Sequence, residues 1–175
     1  GTSSVLRRIT PANALTDVSG EGVVTLDSVA TTELEPVGTD LYYLDGDALW
    51  STDSFIATLI DAGDAARPFA NLTNVSGTLY LTQPAAGGGT DLLREAAGAL
   101  GNAQFHTSAV ANLQAVGATL FYSVDGDELW FNDGGATSVL RHTFGNDITG
   151  ITPLEAIDPA ADDVVFVTIG TSRTW

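Results

Sequence analysis

Enzymatic chemistry at neutral pH leans on histidine, on thiols, on paired carboxylates or on an activated hydroxyl, and this sequence is thinly supplied with all but one of these. His106 and His142 are its only histidines, and it has no cysteine. That removes disulfides, zinc thiolates, iron–sulfur ligation and a thiol nucleophile together. No His-x-x-x-His or Gly-x-Ser-x-Gly string occurs, and no glycine-rich loop opens a convincing helix for phosphate binding. His142 follows Arg141 at the end of an expected outer strand, which reads as an exposed edge rather than a catalytic base. Carboxylates are the abundant group, with 22 Asp and Glu in all. A glycosidase-type pair therefore stays open, because separation in space is what defines such a pair. Asp45-Gly46-Asp47 and Asp125-Gly126-Asp127 place carboxylates at alternate positions, as calcium loops do. Neither continues into a full loop with a distal Glu, so hairpin turns account for them better. No cofactor is expected.

Three tryptophans, Trp50, Trp130 and Trp175, are the other residues able to make a binding surface. Large aromatic side chains either fill a seam between packed sheets or offer a stacking platform for a sugar, and seam packing is the expected role. Asn71-Leu72-Thr73 and Asn74-Val75-Ser76 are glycosylation sequons if the chain is exported where such modification occurs. Asp53, Asp91 and Asp133 are expected to close turns after third strands by accepting from backbone N–H groups.

The elements that must position these residues are written in a repeat. Leu34-Glu-Pro-Val-Gly-Thr-Asp-Leu-Tyr-Tyr-Leu-Asp-Gly-Asp-Ala-Leu-Trp50 recurs as Leu113-Gln-Ala-Val-Gly-Ala-Thr-Leu-Phe-Tyr-Ser-Val-Asp-Gly-Asp-Glu-Leu-Trp130. A third copy runs from Leu72 to Thr82, and a fourth from Leu154 through Thr168 to Trp175. The starts at 34, 72, 113 and 154 lie 38, 41 and 41 residues apart. Each copy reads as four short strands: Leu34 to Val37, Leu41 to Leu44, Ala48 to Ser51 and Ala57 to Ile60 in the first. In the second copy, Leu92 to Leu100 has some helical character, and its start at Asp91 to Glu95 is assigned as a fourth strand. Four antiparallel strands per roughly 40 residues is the spacing of β-propeller blades.

Glu128-Leu129-Trp130-Phe131-Asn132-Asp133-Gly134 resembles the ELWxTDGT-type repeats of bacterial propellers, and Ala48-Leu49-Trp50-Ser51-Thr52-Asp53 is a weaker match. In the second copy Gly88-Gly89 falls where the Leu-Trp pair is expected. The strand and turn spacing is also similar to that of TolB-like propellers. The resemblance spans residues 34 to 175 and implies an all-β propeller of four blades. Residues 10 to 33 fall outside it and are assigned to an inserted hairpin. Gly1, Thr2, Ser3, Ser4, Val5, Leu6 and Arg7 match the stretch from Ala136 to Arg141, so one blade is expected to be split between the termini. Its completing strand, meeting the Trp175 end, would come either from the same chain or from a neighbouring one, giving a closed ring or a fibre.

Composition limits the partners. The 175 residues carry six Arg and no Lys, for a net charge of −16. Nucleic acids and anionic membranes are thereby disfavoured. With 44% hydrophobic residues and mean hydropathy +0.16, the chain is globular rather than disordered. No apolar run approaches the roughly 18 residues of a membrane helix, and with no Met present a processed or excised soluble chain is expected. The Lys-free, Asp-rich balance looks like that of halophilic or Ala-rich secreted proteins. Three functions follow as expectations: foremost an extracellular or cell-surface assembly module partnered by itself, then a glycan- or protein-binding module using the loops at 84–90 and 105–108, and last a propeller hydrolase or lyase.

Overall fold

Short strands joined by glycine-bearing turns dominate the chain because its apolar runs are only three to four residues long and rich in Leu, Tyr, Phe and Val. The computed structural model describes residues 6–9, 23–27, 31–53, 56–135, 137–154 and 164–170. Among them are sixteen strands and no helix. β1 (Leu6–Ile9) pairs antiparallel with β2 (Val23–Asp27). The first four-stranded sheet follows: β3 (Thr31–Val37), β4 (Asp40–Asp45), β5 (Ala48–Thr52) and β6 (Ala57–Asp61), in that order. The second contains β7 (Ala70–Val75), β8 (Thr78–Pro84), β9 (Thr90–Ala96) and β10 (Ala99–His106). The third contains β11 (Val110–Val116), β12 (Thr119–Val124), β13 (Glu128–Asn132) and β14 (Val139–Thr143). β15 (Ile148–Leu154) and β16 (Val164–Ile169) pair antiparallel as a two-stranded sheet.

The first strands β3, β7, β11 and β15 lie beside one another in chain order, and the outer strands β6 and β10 also meet. Consecutive sheets thus pack face to face, an arrangement like successive blades of a propeller. Interior sheets are covered on both faces, which explains why their second strands read as unbroken apolar runs instead of alternating with polar residues. Tyr42, Leu44 and Leu49 of the first sheet pack against Leu79, Leu81 and Leu93 of the second. On the second sheet's other face, Tyr80, Leu92 and Ala103 pack against Leu120, Tyr122, Val124 and Trp130. Phe121 and Leu129 then meet Ile148, Ile151, Val165 and Val167. Leu49, Leu79, Leu81, Leu92 and Leu120 are wholly buried, each contributing about 1.5–3 kcal/mol of apolar transfer.

One local device recurs in the first strand of each complete sheet. Glu33, Asn71 and Asn112 all have positive φ, at 46°, 60° and 54°, where the pairing with the second strand slips by a residue. Asn tolerates this left-handed conformation; Glu33 pays roughly 1–2 kcal/mol for it. Its carboxylate offsets part of that cost by accepting from Leu72 N–H in the next sheet at 3.1 Å.

The register corrects several expectations. Asp91 to Glu95 is not a fourth strand but lies within β9, the third; β10 is the fourth, and no helix forms between Leu92 and Leu100. Pairing of Tyr43 with Trp50, Leu81 with Leu93 and Tyr122 with Trp130 puts Leu92-Leu93, not Gly88-Gly89, in the Leu-Trp position. In the fourth copy Ile151, paired with Val167, holds the place of Leu34, three residues before Leu154. Thr31 and Thr32 belong to β3, and the strand at Val23–Asp27 pairs with Leu6–Ile9; residues 10–22 and 28–30 of the expected inserted hairpin lie outside the described residues. Gly1 to Val5 and Trp175, and with them the join of the split blade, lie outside the described residues.

Candidate functional site

At the end of the sheets where second strands turn into third strands, the same chain segments meet repeatedly. The β4–β5 turn lies against Gly63, the loop between β8 and β9 against His106 and Thr107, and the β12–β13 turn against Asp147. Gly89 must be glycine for this: its φ is +84°, and a Cβ there would strike the His106 carbonyl oxygen. Asp125 N–H donates to Ala109 O at 3.0 Å, fixing the third turn against the β10–β11 link.

This packing leaves a cleft of about 360 Å3 between the end of β10 and the β12–β13 hairpin, walled by Gln104 to Ser108 on one side and Asp125, Glu128 and Trp130 on the other. His106 forms its floor, 5% exposed. Its Nε2 shares a 3.0 Å hydrogen bond with the Tyr122 hydroxyl, and its ring stands edge-on to Trp130 at 4.8 Å. Burial holds its pKa below the usual 6.5, with Glu128 pulling the other way. The Trp130 indole N–H donates to Glu128 Oε2 at 2.9 Å, which fixes the hairpin-side wall. Phe105 stands 48% exposed at the rim.

Behind the cleft a buried polar network crosses the seam between the second and third sheets. The Tyr122 hydroxyl, pushed up to about 12 chiefly by burial, also bonds the Ser138 side chain. Asn132, 1% exposed, donates to Ser138 Oγ at 3.2 Å and Gly135 O at 3.4 Å, and accepts from Tyr80 O–H at 3.2 Å and Gly134 N–H at 2.8 Å. Two donors and two acceptors are the full capacity of an amide side chain, so nothing at Asn132 is left unpaired.

Of the three tryptophans expected at one slot, Trp50 and Trp130 share it, on β5 and β13, but differ in surroundings; Trp175 lies outside the described residues. Trp130 lies in the seam with the second sheet and reaches the cleft. The Trp50 indole N–H is buried with no acceptor among the described residues. Ala48 stands where Glu128 stands in the third sheet. The sequon residues both lie on β7 with their amide nitrogens engaged: Asn71 Nδ2 donates to Thr82 Oγ1 at 2.9 Å and Asn74 Nδ2 to Pro36 O at 2.7 Å. Asn112 makes the equivalent bond to Ser123 Oγ at 2.9 Å, so Asn71 serves the bulge of its strand. Asp53 and Asp133 close turns by accepting from Ile56 and Gly135 N–H, whereas Asp91 sits inside β9 and accepts from Asn102; Glu95 closes that sheet's turn through Gly98 N–H. Leu6 and Arg7 lie on β1 opposite Asp27 and Thr25. His142 is exposed on the outermost strand of its sheet, edge-on to Phe144 at 4.5 Å.

A second concavity, about 460 Å3 and mainly apolar, opens on the far face of the third sheet, where Phe121, Leu129, Phe131 and Phe144 face Val165 and Val167, with Thr119 and Arg141 also in its lining. Among the described residues no cluster of three or more His, Asp or Glu is placed to hold a metal, and no helix is long and apolar enough to cross a membrane. Compared with family models, with curated proteins and with solved structures, the chain matches none of them.

Proposed function

We propose that this chain is a non-enzymatic propeller-type recognition module of the cell exterior, and that the cleft at its hairpin end receives the ligand. The observation that carries the reading is the convergence of Phe105, Trp130, Asp125 and Glu128, from two different sheets, on one cavity floored by a buried, hydrogen-bonded histidine. A few fixed polar groups among aromatic walls is the usual make-up of a small-ligand site. The stacking of first strands and the ELWxTDGT-like repeat support closure of the sheets into a ring, and the Lys-free acidic composition supports an exported, salt-tolerant protein. A soluble glycan array carrying neutral, acidic and amino sugars tests the reading. Binding by the native chain that disappears in Phe105→Ala supports it; binding that survives the substitution moves the site elsewhere.

Self-association is a second reading, favoured by the apolar groove of Phe121, Phe131, Phe144 and Val167. A second copy of the chain that completes the fourth sheet would cover these side chains. Light scattering of the full chain and of a variant lacking residues 1–8 separates the readings. Assembly that collapses to monomer on deletion supports intermolecular completion, while a full chain that is monomeric at every concentration removes it.

A further inference from the structure

We infer that the ligand of the hairpin-end cleft carries an organic ammonium group seated between Phe105, Trp130 and the Asp125 and Glu128 carboxylates. The inference rests on the recognition reading above and adds the chemical class of the ligand. Its first support is the sign of charge: the cleft is lined by two carboxylates and no arginine, in a chain of net charge −16. An anionic ligand would meet like charge with no counter-ion supplied by the protein, and the surrounding field draws cations in. The second support is the pairing of these carboxylates with aromatic rings, whose negative faces attract ammonium groups most strongly where water is partly excluded.

A third support is preorganisation. Glu128 is held by the Trp130 N–H, and Trp130 in turn is braced edge-on by His106, whose Nε2 is tied to Tyr122. Charge and ring are therefore positioned before the ligand arrives, which lowers the ordering cost of binding. Burial lowers the His106 pKa and so favours the neutral ring, which adds no repulsion toward a cation. The cavity of about 360 Å3 suits a ligand group of one sugar residue or smaller.

The test is a titration of the full chain at constant ionic strength with glucosamine, tetramethylammonium, glucose and glucuronate, followed by the Trp130 indole N–H resonance. Glucosamine and tetramethylammonium are expected to shift it saturably, with glucose at least about tenfold weaker and glucuronate without effect. Glu128→Gln keeps an acceptor for the indole and loses only the charge; it should weaken glucosamine about five- to tenfold, as should Phe105→Leu by removing the ring. Glucose binding as well as glucosamine, or an unchanged affinity in Glu128→Gln, overturns the ammonium assignment. If the array at the same time shows Phe105-dependent binding of neutral glycans, the recognition reading stands without it. If no probe moves Trp130 and no glycan binds, both fall.

Discussion

Trp50 and Trp130 differ by one hydrogen bond, and that difference defines a substitution whose effect can be worked out in advance. In the third sheet the indole N–H donates to Glu128, two residues earlier on the same strand. The first sheet has the same pairing register, yet position 48 is Ala and the Trp50 N–H is buried without an acceptor among the described residues. A buried unpaired donor costs about 1–3 kcal/mol. Ala48→Gln supplies an acceptor at the position Glu128 occupies. Ordering the new side chain costs up to about 1.5–2 kcal/mol, so the net gain is at most about 1 kcal/mol. Gln is chosen over Glu because Asp45 lies directly opposite position 48, where the third sheet has Val124, and like charges facing across strands are destabilising. Urea denaturation should show Ala48→Gln more stable by up to that amount, a rise in Tm of no more than about 2–4 °C for a chain of this size, with Ala48→Glu gaining less. Glu128→Ala should lose about 1–2 kcal/mol, and Glu128→Gln should change little. A neutral Ala48→Gln together with a neutral Glu128→Ala would refute the reasoning.

Other consequences are as specific. Asn132→Ala strips four hydrogen bonds and leaves Tyr80 O–H and Ser138 short of partners, so it should cost about 2–4 kcal/mol, against about 1 kcal/mol for Tyr80→Phe; chemical denaturation of both measures this. Gly63→Ala places a methyl group onto the Asp47 carbonyl at φ +67° and should destabilise by more than about 3 kcal/mol, whereas Gly38→Ala, at a similar φ but in open space, should cost only about 1–2 kcal/mol in thermal unfolding. For His106 the native pKa lies below the unfolded value of 6.5, so between the two the unfolded chain binds the proton the native state refuses. Stability should thus fall as pH drops from about 7 toward 5, and His106→Gln should flatten that slope in denaturation midpoints measured across the range.

Much of the architecture was legible because the repeat states it several times. Hairpin signals at Asp45-Gly46 and Asp125-Gly126, the Leu-Trp slot and the aromatic second strands each occur in more than one copy, so local agreement between copies fixed the strands. Errors fell where a copy diverges. The second sheet has Leu93 in place of Trp and a five-residue loop between Pro84 and Thr90, and helix-favouring Ala and Leu around 92–100 blurred a strand boundary that the partner strands decide. Aligning Asn71 with Asn112 and Glu33 exposes a bulge position that the sequon reading passes over, since Asn is suited to positive φ. The cleft was only half visible. Residues 105–108 read in the sequence as a binding loop, whereas Phe105 and His106 end β10, and the approach of His106 to Tyr122 and Trp130 depends on how two sheets stack, which no local pattern encodes.

That stacking is what places every group discussed above, and methyl-resolved NOE spectroscopy of the full chain tests it most directly. The account predicts contacts from Leu79 and Leu81 to Leu44 and Leu49, from Leu120 to Leu92, and from Val167 to Leu129, each sheet touching the next in chain order. Contacts that skip a sheet, such as Leu44 to Leu120, or an absence of contacts between Leu92 and Leu120, would contradict it and dismantle the cleft with it.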